Sequence, residues 1–328
     1  MSTYTLDDFI VSPSITNSDL LSYANSHVNL PSDRAKEHRD QANILREKLE
    51  KYIDEHPDYN LVKMLHSGSV AKGTALRQVN DIDVAVYVRA AEAPETGSGL
   101  TLWLLDRLQE VYPNFDNDQF QPQDHCITIN YRSGLSVDVV PVLYEGDADN
   151  KGYLITKSGE KVLTSISRHL DFIRKRKGLH PNHYVQLIRF IKWWVRRQKD
   201  LNQDYKFKSM MVELICAHLV DKGLEPSNYI EALQSFYAYI VRTGLKEPIY
   251  FGDYYNPKSI TLTDLPIQIY DPVNPENNIA HKYTELNRQL IVSSAVTALN
   301  AITTAANSTT QAEAVSMWQK VFGPTFRK

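Results

Sequence analysis

Cysteine is scarce in this sequence of 328 residues, which contains two, Cys126 and Cys216, far apart in the chain. Structural zinc sites and disulfide scaffolds need more cysteines at closer spacing, so both classes are excluded. A chain of this length can bury enough apolar surface to fold without such cross-links. The low cysteine content also favours a reducing compartment, and we therefore expect a cytoplasmic protein.

Signals for secretion or membrane insertion are lacking as well. The segment Met1–Asp8 has neither the basic start nor the apolar run of a signal peptide. The longest stretch without charged residues, about 289–312, is diluted by Ser, Thr, Asn and Gln and falls short of a spanning helix. We therefore expect no contact with a membrane.

Excess charge of one sign is absent from the chain as a whole, since the net charge is −3. Residues 161–208, however, hold 13 Lys or Arg against three Asp, a local charge of +10. A protein that binds nucleic acid over its whole surface is basic overall, which argues against that class. The basic segment suits either a site for metal-bound anions or a solvated helix face. Within it, Arg174–Lys177 is typical of a solvated helix end, with a regulatory or nucleic-acid patch as the alternative.

Apolar periodicity divides the chain into a mixed first part and a helical second part. Leu45, Leu49 and Ile53 recur every four residues and predict a helix over 33–55. The β-branched run 82–88 predicts a strand. Further strands are predicted at 61–65, 125–131 and 135–143, and further helices at 70–76, 100–112, 163–177, 182–199, 207–222, 228–242, 279–305 and 309–321. The predicted fold class is α+β with two lobes, residues 1–160 and 161–328.

The most informative stretch is Gly68-Ser-Val-Ala-Lys-Gly-Thr-Ala-Leu-Arg-Gln-Val-Asn-Asp-Ile-Asp83. Asp81 and Asp83 lie two residues apart at the start of a predicted strand, so both carboxylates point to one face. A third acid, Asp138, lies between valines that point to the opposite face. We expect Asp138 to stand beside the first two on a neighbouring strand.

Three converging carboxylates repel one another unless a cation lies between them. Mg²⁺ prefers a few carboxylates together with phosphate oxygens. Two such ions, about 3.5–4 Å apart, activate an attacking hydroxyl and stabilise the leaving oxygen. A Gly68-Ser69 turn before a helix adds backbone N–H groups for phosphate. A lone Asp-x-Asp usually does no more than cap a strand, but the Gly-Ser turn and the third Asp favour a metal site.

This arrangement resembles the polymerase-β-like nucleotidyltransferases. The fuller motif looks like that of the oligoadenylate synthetases, the archaeal-type CCA-adding enzymes and the bacterial CD-NTases, which are the cGAS/DncV-like oligonucleotide cyclases of CBASS. Two more segments carry the resemblance: Tyr184-Val-Gln-Leu-Ile-Arg-Phe-Ile-Lys-Trp-Trp194 and Ile269-Tyr-Asp-Pro-Val-Asn-Pro-Glu-Asn-Asn278. The resemblance covers about residues 35–320 and implies a bilobal fold, with a mixed-sheet catalytic lobe and a helical C-terminal lobe.

The resemblance also implies roles for individual residues. Asp81, Asp83 and Asp138 would be the catalytic ligands of two Mg²⁺ ions, with Mn²⁺ as a substitute. Lys192 would reach the donor triphosphate, and Ser209 would contact phosphate.

Three further positions in the motif are candidates for contact with phosphate. Lys72 either neutralises phosphate or activates a nucleotide, or else it lies on the solvated face of its short helix. Gly68 and Ser69 would contact phosphate through the backbone and the hydroxyl. The oligoadenylate synthetases have a base-stacking tyrosine where this chain has Met210, which puts base stacking at that position in doubt.

The favoured function is that of a bacterial CD-NTase. Such an enzyme would use ATP, alone or with a second nucleoside triphosphate, to make an adenine-rich cyclic trinucleotide with release of pyrophosphate. The messenger would reach an antiphage effector, and a HORMA-type protein or double-stranded nucleic acid would activate the enzyme.

Two other functions stay open. A template-independent RNA or tRNA nucleotidyltransferase has nearly the same motif, but we expect about 50 residues after Asn278 to be too few for its RNA-gripping domains. A non-catalytic nucleotide or RNA sensor would not need all three carboxylates.

Overall fold

The structure, a computed structural model, describes residues 15–56, 61–79, 81–89, 97–123, 125–144, 146–147, 149–155 and 159–328. The segment Met1–Asp8 lies outside these residues. The helices are α1 (Asn17–Tyr23), α2 (Ser32–Glu55), α3 (Gly68–Lys72), α4 (Gly97–Val111), α5 (Ile166–Leu179), α6 (His183–Leu201), α7 (Ser209–Asp221), α8 (Tyr229–Thr243), α9 (Glu285–Ala306) and α10 (Gln311–Phe322). The strands are β1 (Leu61–Ser67), β2 (Asp81–Arg89), β3 (Phe120–Pro122), β4 (Ile127–Asn130), β5 (Ser136–Tyr144), β6 (Gly152–Ile155) and β7 (Lys161–Thr164).

The strands described by the structure form one mixed sheet. Its main path runs β1-β2-β5-β4-β3, and β6 and β7 continue from the far end of β5. Strands β2 and β5 pair in parallel, whereas the other pairs are antiparallel. Parallel strands need a crossover connection, which here contains α4 and the β3–β4 pair. The parallel pair therefore joins two distant parts of the chain at the centre of the sheet.

Two apolar cores support the two lobes. One face of the sheet packs against α2 and α4 through a cluster of aliphatic side chains that includes Leu45, Val84 and Leu104. The second core lies among the helices of the C-terminal half and includes Trp194 and Phe236. The α+β class and the helical second half are thus confirmed.

Helix α1 was not predicted, and it belongs to the second core rather than to the sheet. Thr16 begins it with a reciprocal capping box to Asp19. Leu20 and Tyr23 are buried against the helical lobe. A short π-helix, Ala24–Val28, continues from α1. The N-terminal part of the described chain therefore packs onto the C-terminal lobe.

Several predicted boundaries were wrong. The helix predicted to begin at 163 begins only after Ser165, which caps α5, because residues 163 and 164 belong to β7. Helix α9 begins at Glu285 rather than 279, after Thr284 caps it through Asn287. A division after residue 160 would separate β7 from β6. We therefore propose that the two lobes meet at Ser165, close to the predicted boundary.

Helix α9 is long and apolar enough to cross a membrane by length and composition. In the structure it packs against α8 and α10. Its buried face belongs to the helical core and includes Ile291, Ala295 and Ile302. Since the core helix of a folded lobe passes the same test, this helix is weak evidence for a membrane segment.

Candidate active site

The three predicted carboxylates lie on the parallel strand pair. Asp83 of β2 is the register partner of Asp138 of β5, and Asp81 pairs with Ser136. Because side chains alternate along a strand, Asp81 and Asp83 share the face on which Asp138 stands. Val137 and Val139, on either side of Asp138, are fully buried on the other face. The structure thus brings together the acids that the sequence predicted, while their role as metal ligands stays a prediction.

Burial and neighbouring negative charge raise the pKa of Asp83 and of Asp138. Burial, followed by the charges of Asp81 and Asp138, raises the pKa of Asp83 to about 6. Burial also raises the pKa of Asp138, although Thr128 Oγ1 donates a 2.6 Å hydrogen bond to its Oδ1 and opposes the rise. The negative charge of these carboxylates is therefore not balanced by the positive groups around them, which favours binding of a cation between them.

The donor set fits a hard divalent cation, since every candidate ligand is a carboxylate oxygen. Among the described residues, however, no three acidic, histidine or cysteine side chains are gathered closely enough to hold a metal ion by themselves. The remaining ligands would come from water and from substrate phosphate, as Mg²⁺ prefers.

The Gly68-Ser69 turn lies directly against the carboxylates. Gly68 has φ = +67°, and a Cβ built on it would lie 1.6 Å from Oδ2 of Asp83. Only glycine lets the start of α3 approach Asp83 this closely. Ser69 is half-buried in the first turn of α3, and its carbonyl oxygen accepts the N–H of Thr74 at 2.9 Å. The turn is where the sequence predicted it, and its phosphate contacts stay a prediction.

Lys72 and Lys192 meet at a buried acid that the sequence reasoning missed. Lys72 Nζ donates to Oε2 of Glu213 at 2.9 Å, and Lys192 Nζ lies 3.5 Å from Oε1. Thr74 Oγ1 donates to the same Oε1 at 2.8 Å. The Lys72 side chain is 16% exposed, so the alternative of a solvated helix face is wrong. Two lysines, one from each lobe, thus come together beside the carboxylates.

Ser209 and Met210 begin α7, one turn before Glu213. Ser209 is exposed, and Met210 is half-buried against the helical core. The phosphate contact of Ser209 stays a prediction.

Three residues near the site, Thr74, Thr128 and Glu213, were not selected from the sequence. Glu213 had a signal, because it is the one charged residue in the apolar run Met210–Cys216. No sequence pattern marks Thr74 or Thr128, since each is part of the site only through a hydrogen bond to an acid elsewhere in the chain.

The fold is that of a polymerase-β-like nucleotidyltransferase. Residues 15–167 match the family described as the Second Messenger Oligonucleotide or Dinucleotide Synthetase (SMODS) domain. The chain is 48% identical over 308 residues to the cyclic AMP-AMP-AMP synthase of Escherichia coli strain MS 115-1, across 93% of this chain and 96% of the relative. It is 28% identical over 320 residues to a CBASS oligonucleotide cyclase, CdnC, of Escherichia coli strain KTE188, across 95% of this chain and 98% of the relative.

Solved structures agree with these relatives. The structure of E. coli MS115-1 CdnC with ATP superposes with a TM-score of 0.91 at 46% identity, over 96% of this chain and all of that chain. The CdnC:HORMA-deltaN complex of the same source gives a TM-score of 0.90 at 46% identity, over 96% and 99%. The chain therefore belongs to the SMODS family. It is a bacterial CD-NTase, a nucleotidyltransferase that synthesises cyclic oligonucleotides in CBASS, and this family uses divalent metal ions.

Proposed function

We propose that the enzyme joins three ATP molecules into a cyclic trinucleotide of AMP and releases pyrophosphate at each step. The observation that carries this proposal is the 48% identity, over nearly the whole chain, to a cyclic AMP-AMP-AMP synthase. The site supports it, because the charges of the half-buried Lys72 and the buried Lys192 act on Asp83, and two such lysines suit a triphosphate.

Asp81, Asp83 and Asp138 would hold two Mg²⁺ ions, with Mn²⁺ as a substitute. Bound there, the ions would lower the pKa of an acceptor hydroxyl and neutralise the leaving phosphate. Thr128 fixes one oxygen of Asp138, so that the carboxylate can orient the ribose hydroxyl and take its proton. The hydroxyl oxygen then bonds to the α-phosphorus of the donor while the bond to the β-phosphate breaks.

The remaining site residues bind the donor. Gly68 and Ser69 would contact its phosphates at the start of α3, and Ser209 would add a hydroxyl from the start of α7. Lys72 and Lys192 would balance the charge of the departing pyrophosphate.

The experiment is product analysis with purified full-length protein. With Mg²⁺ or Mn²⁺ and ATP alone, we expect a phosphatase-resistant product with the mass of cyclic AMP-AMP-AMP. In a mixture of all four nucleoside triphosphates, use of a second substrate would give a cyclic product of a different mass. Linear oligoadenylate, growth of labelled tRNA or no product would overturn the proposal.

Two variants separate chemistry from folding. Asp81→Asn and Asp83→Asn should abolish product while circular dichroism stays unchanged. Asp264→Asn changes an exposed acid in a loop outside the strands that carry the carboxylates and should keep full activity.

We further propose activation by a HORMA-type protein in the cytoplasm, with the messenger acting on a downstream effector. Support comes from the CdnC:HORMA-deltaN complex, whose enzyme has the same fold at 46% identity. Product formation should be measured with and without the HORMA protein, and with double-stranded DNA or RNA as separate additions. Activity that is equal in all cases would overturn activation by either partner.

A further inference from the structure

Glu213 connects the two lobes through one buried carboxylate. Its side chain is 4% exposed and lies on α7, in the helical lobe. Lys72 of α3 donates to one oxygen at 2.9 Å, and Thr74, just after α3, donates to the other at 2.8 Å. Lys192 of α6 lies 3.5 Å from the second oxygen and also donates to Thr74 Oγ1 at 3.3 Å. Both carboxylate oxygens are thus occupied by donors from three segments.

Because Glu213 is buried, its carboxylate stays ionised only with the help of these donors. Burial by itself would raise its pKa, but the charges of Lys72 and Lys192, with hydrogen bonds from Lys72 and Thr74, bring it down to about 2. An isolated buried carboxylate would cost several kcal/mol. Glu213 is therefore an anion held in place by cations.

The dependence is reciprocal for Lys192. Burial lowers its pKa, Glu213 opposes that fall, and Lys72 adds to it. Two ammonium groups share one carboxylate, so the cluster of Lys72, Lys192 and Glu213 keeps a net charge of +1. Each ammonium has three N–H donors, and the contacts described above use one for Lys72 and two for Lys192. Donors therefore remain for an anionic ligand.

We propose that Glu213 is a positioning residue, whose carboxylate holds Lys72 and Lys192 together so that both reach the phosphates of the nucleotide. The inference rests on the proposed function in one respect, the assignment of these lysines to the triphosphate. Its consequence is specific: loss of Glu213 weakens binding of the triphosphate and leaves recognition of the nucleoside unaffected.

The test compares two ligands on the full-length protein by calorimetry, the α,β-methylene analogue of ATP and adenosine. Glu213→Gln keeps the shape of the side chain and removes its charge. Because charge-assisted hydrogen bonds are lost, we expect about 10- to 100-fold weaker binding of the analogue. Adenosine should bind within about twofold of wild type. Equal weakening of both ligands, or no weakening of the analogue, would overturn the proposal.

A double-mutant cycle shows whether Glu213 acts through the lysine. In a Lys192→Met background, Glu213→Gln should change the affinity for the analogue much less than in wild type. Full additivity of the two changes would contradict a positioning role and indicate a general effect on the fold.

Glu213→Asp provides a second variant if the Gln variant does not fold. This variant keeps the charge but moves the carboxylate back by one methylene. We therefore expect a smaller loss of affinity for the ATP analogue and none for adenosine. Equal loss of affinity for both ligands would again overturn the proposal. The binding assay does not depend on turnover. A protein that binds the analogue but makes no cyclic product would refute the proposed function and leave this inference intact.

Discussion

Gly68 lies against the carboxylate of Asp83, so close that a Cβ on Gly68 would fall 1.6 Å from Oδ2. Gly68 is the first residue of α3, and Asp83 lies near the start of β2. Their contact places the backbone of the Gly-Ser turn next to the carboxylates.

Gly68→Ala should therefore disable the site. The Cβ would push Asp83 away, and the positive φ adds strain of about 1–2 kcal/mol. We expect product formation to fall by at least about 100-fold, together with a lower melting temperature. Gly178→Ala is the control, because it lies within α5 and its Cβ would meet no atom within 4 Å. That change should slightly stabilise the protein and keep its activity; equal effects of both changes would contradict the steric argument.

Thr128→Val tests the orientation and charge of Asp138. The hydroxyl of Thr128 lowers the pKa of Asp138 against the effect of burial, so its removal should raise that pKa. Since the ionised form is needed, the acid limb of the pH–kcat profile should move to higher pH. Activity on that limb would then fall and recover as the pH is raised. Thr128→Ser keeps the hydroxyl and should retain the wild-type profile, whereas an unshifted profile for the Val variant would refute this role.

The pKa of Asp83 makes stability depend on pH when metal is removed with EDTA. Its folded pKa of about 6 lies above the ordinary value of 3.8, so the folded state binds the proton more tightly than the unfolded state. The contribution of Asp83 to stability is therefore greatest below about pH 4 and decreases as pH rises through 6. Asp83→Asn should raise the free energy of unfolding at pH 7 by on the order of 1–3 kcal/mol, and by much less at pH 4.5.

Urea unfolding at the two pH values measures this difference, with Asp264→Asn as the exposed control. Mg²⁺ should raise the melting temperature of the wild type at pH 7 and have little effect on Asp83→Asn. A gain that is the same at both pH values would show that the ionisation of Asp83 is not the cause.

Arg176 is buried, unlike the exposed side chains of Arg174 and Lys175 beside it. Its Nε donates to Asp221 at 3.0 Å, and its Nη2 donates to Asp253 at 3.0 Å. Arg176→Met would remove the buried cation and leave the carboxylate of Asp253 paired with the exposed Lys175. Because charge-assisted hydrogen bonds to Asp221 and Asp253 are lost, we expect a loss of about 1–3 kcal/mol in urea unfolding. Arg174→Met changes an exposed neighbour, and its effect should stay within about 0.5 kcal/mol. Similar losses for both would mean that the buried pair contributes little.

Much of the catalytic strand pair could be predicted from the sequence. Asp81 and Asp83 share a face because side chains alternate along a strand, and the valines around Asp138 identify its face in the same way. The Gly68-Ser69 turn was readable because glycine is needed where the backbone passes a side chain closely. Each of these features depends on residues within a few positions of one another.

Boundaries were less predictable, as β7 and the start of α9 show. Lys161–Thr164 is short and pairs with another short strand, so its apolar pattern does not distinguish it from a helix start. Helix α1 is stabilised by packing on a lobe formed by residues much later in the chain.

By itself, then, the sequence determined the two-lobed α+β class, the carboxylate face and the Gly-Ser turn, because local periodicity and backbone geometry specify them. The tertiary structure alone decided that Lys72 and Lys192 converge on Glu213, and that Arg176 is buried between Asp221 and Asp253. Such pairings join segments far apart in the chain. They depend on how the lobes pack, and no local pattern encodes the distance between two side chains on separate elements.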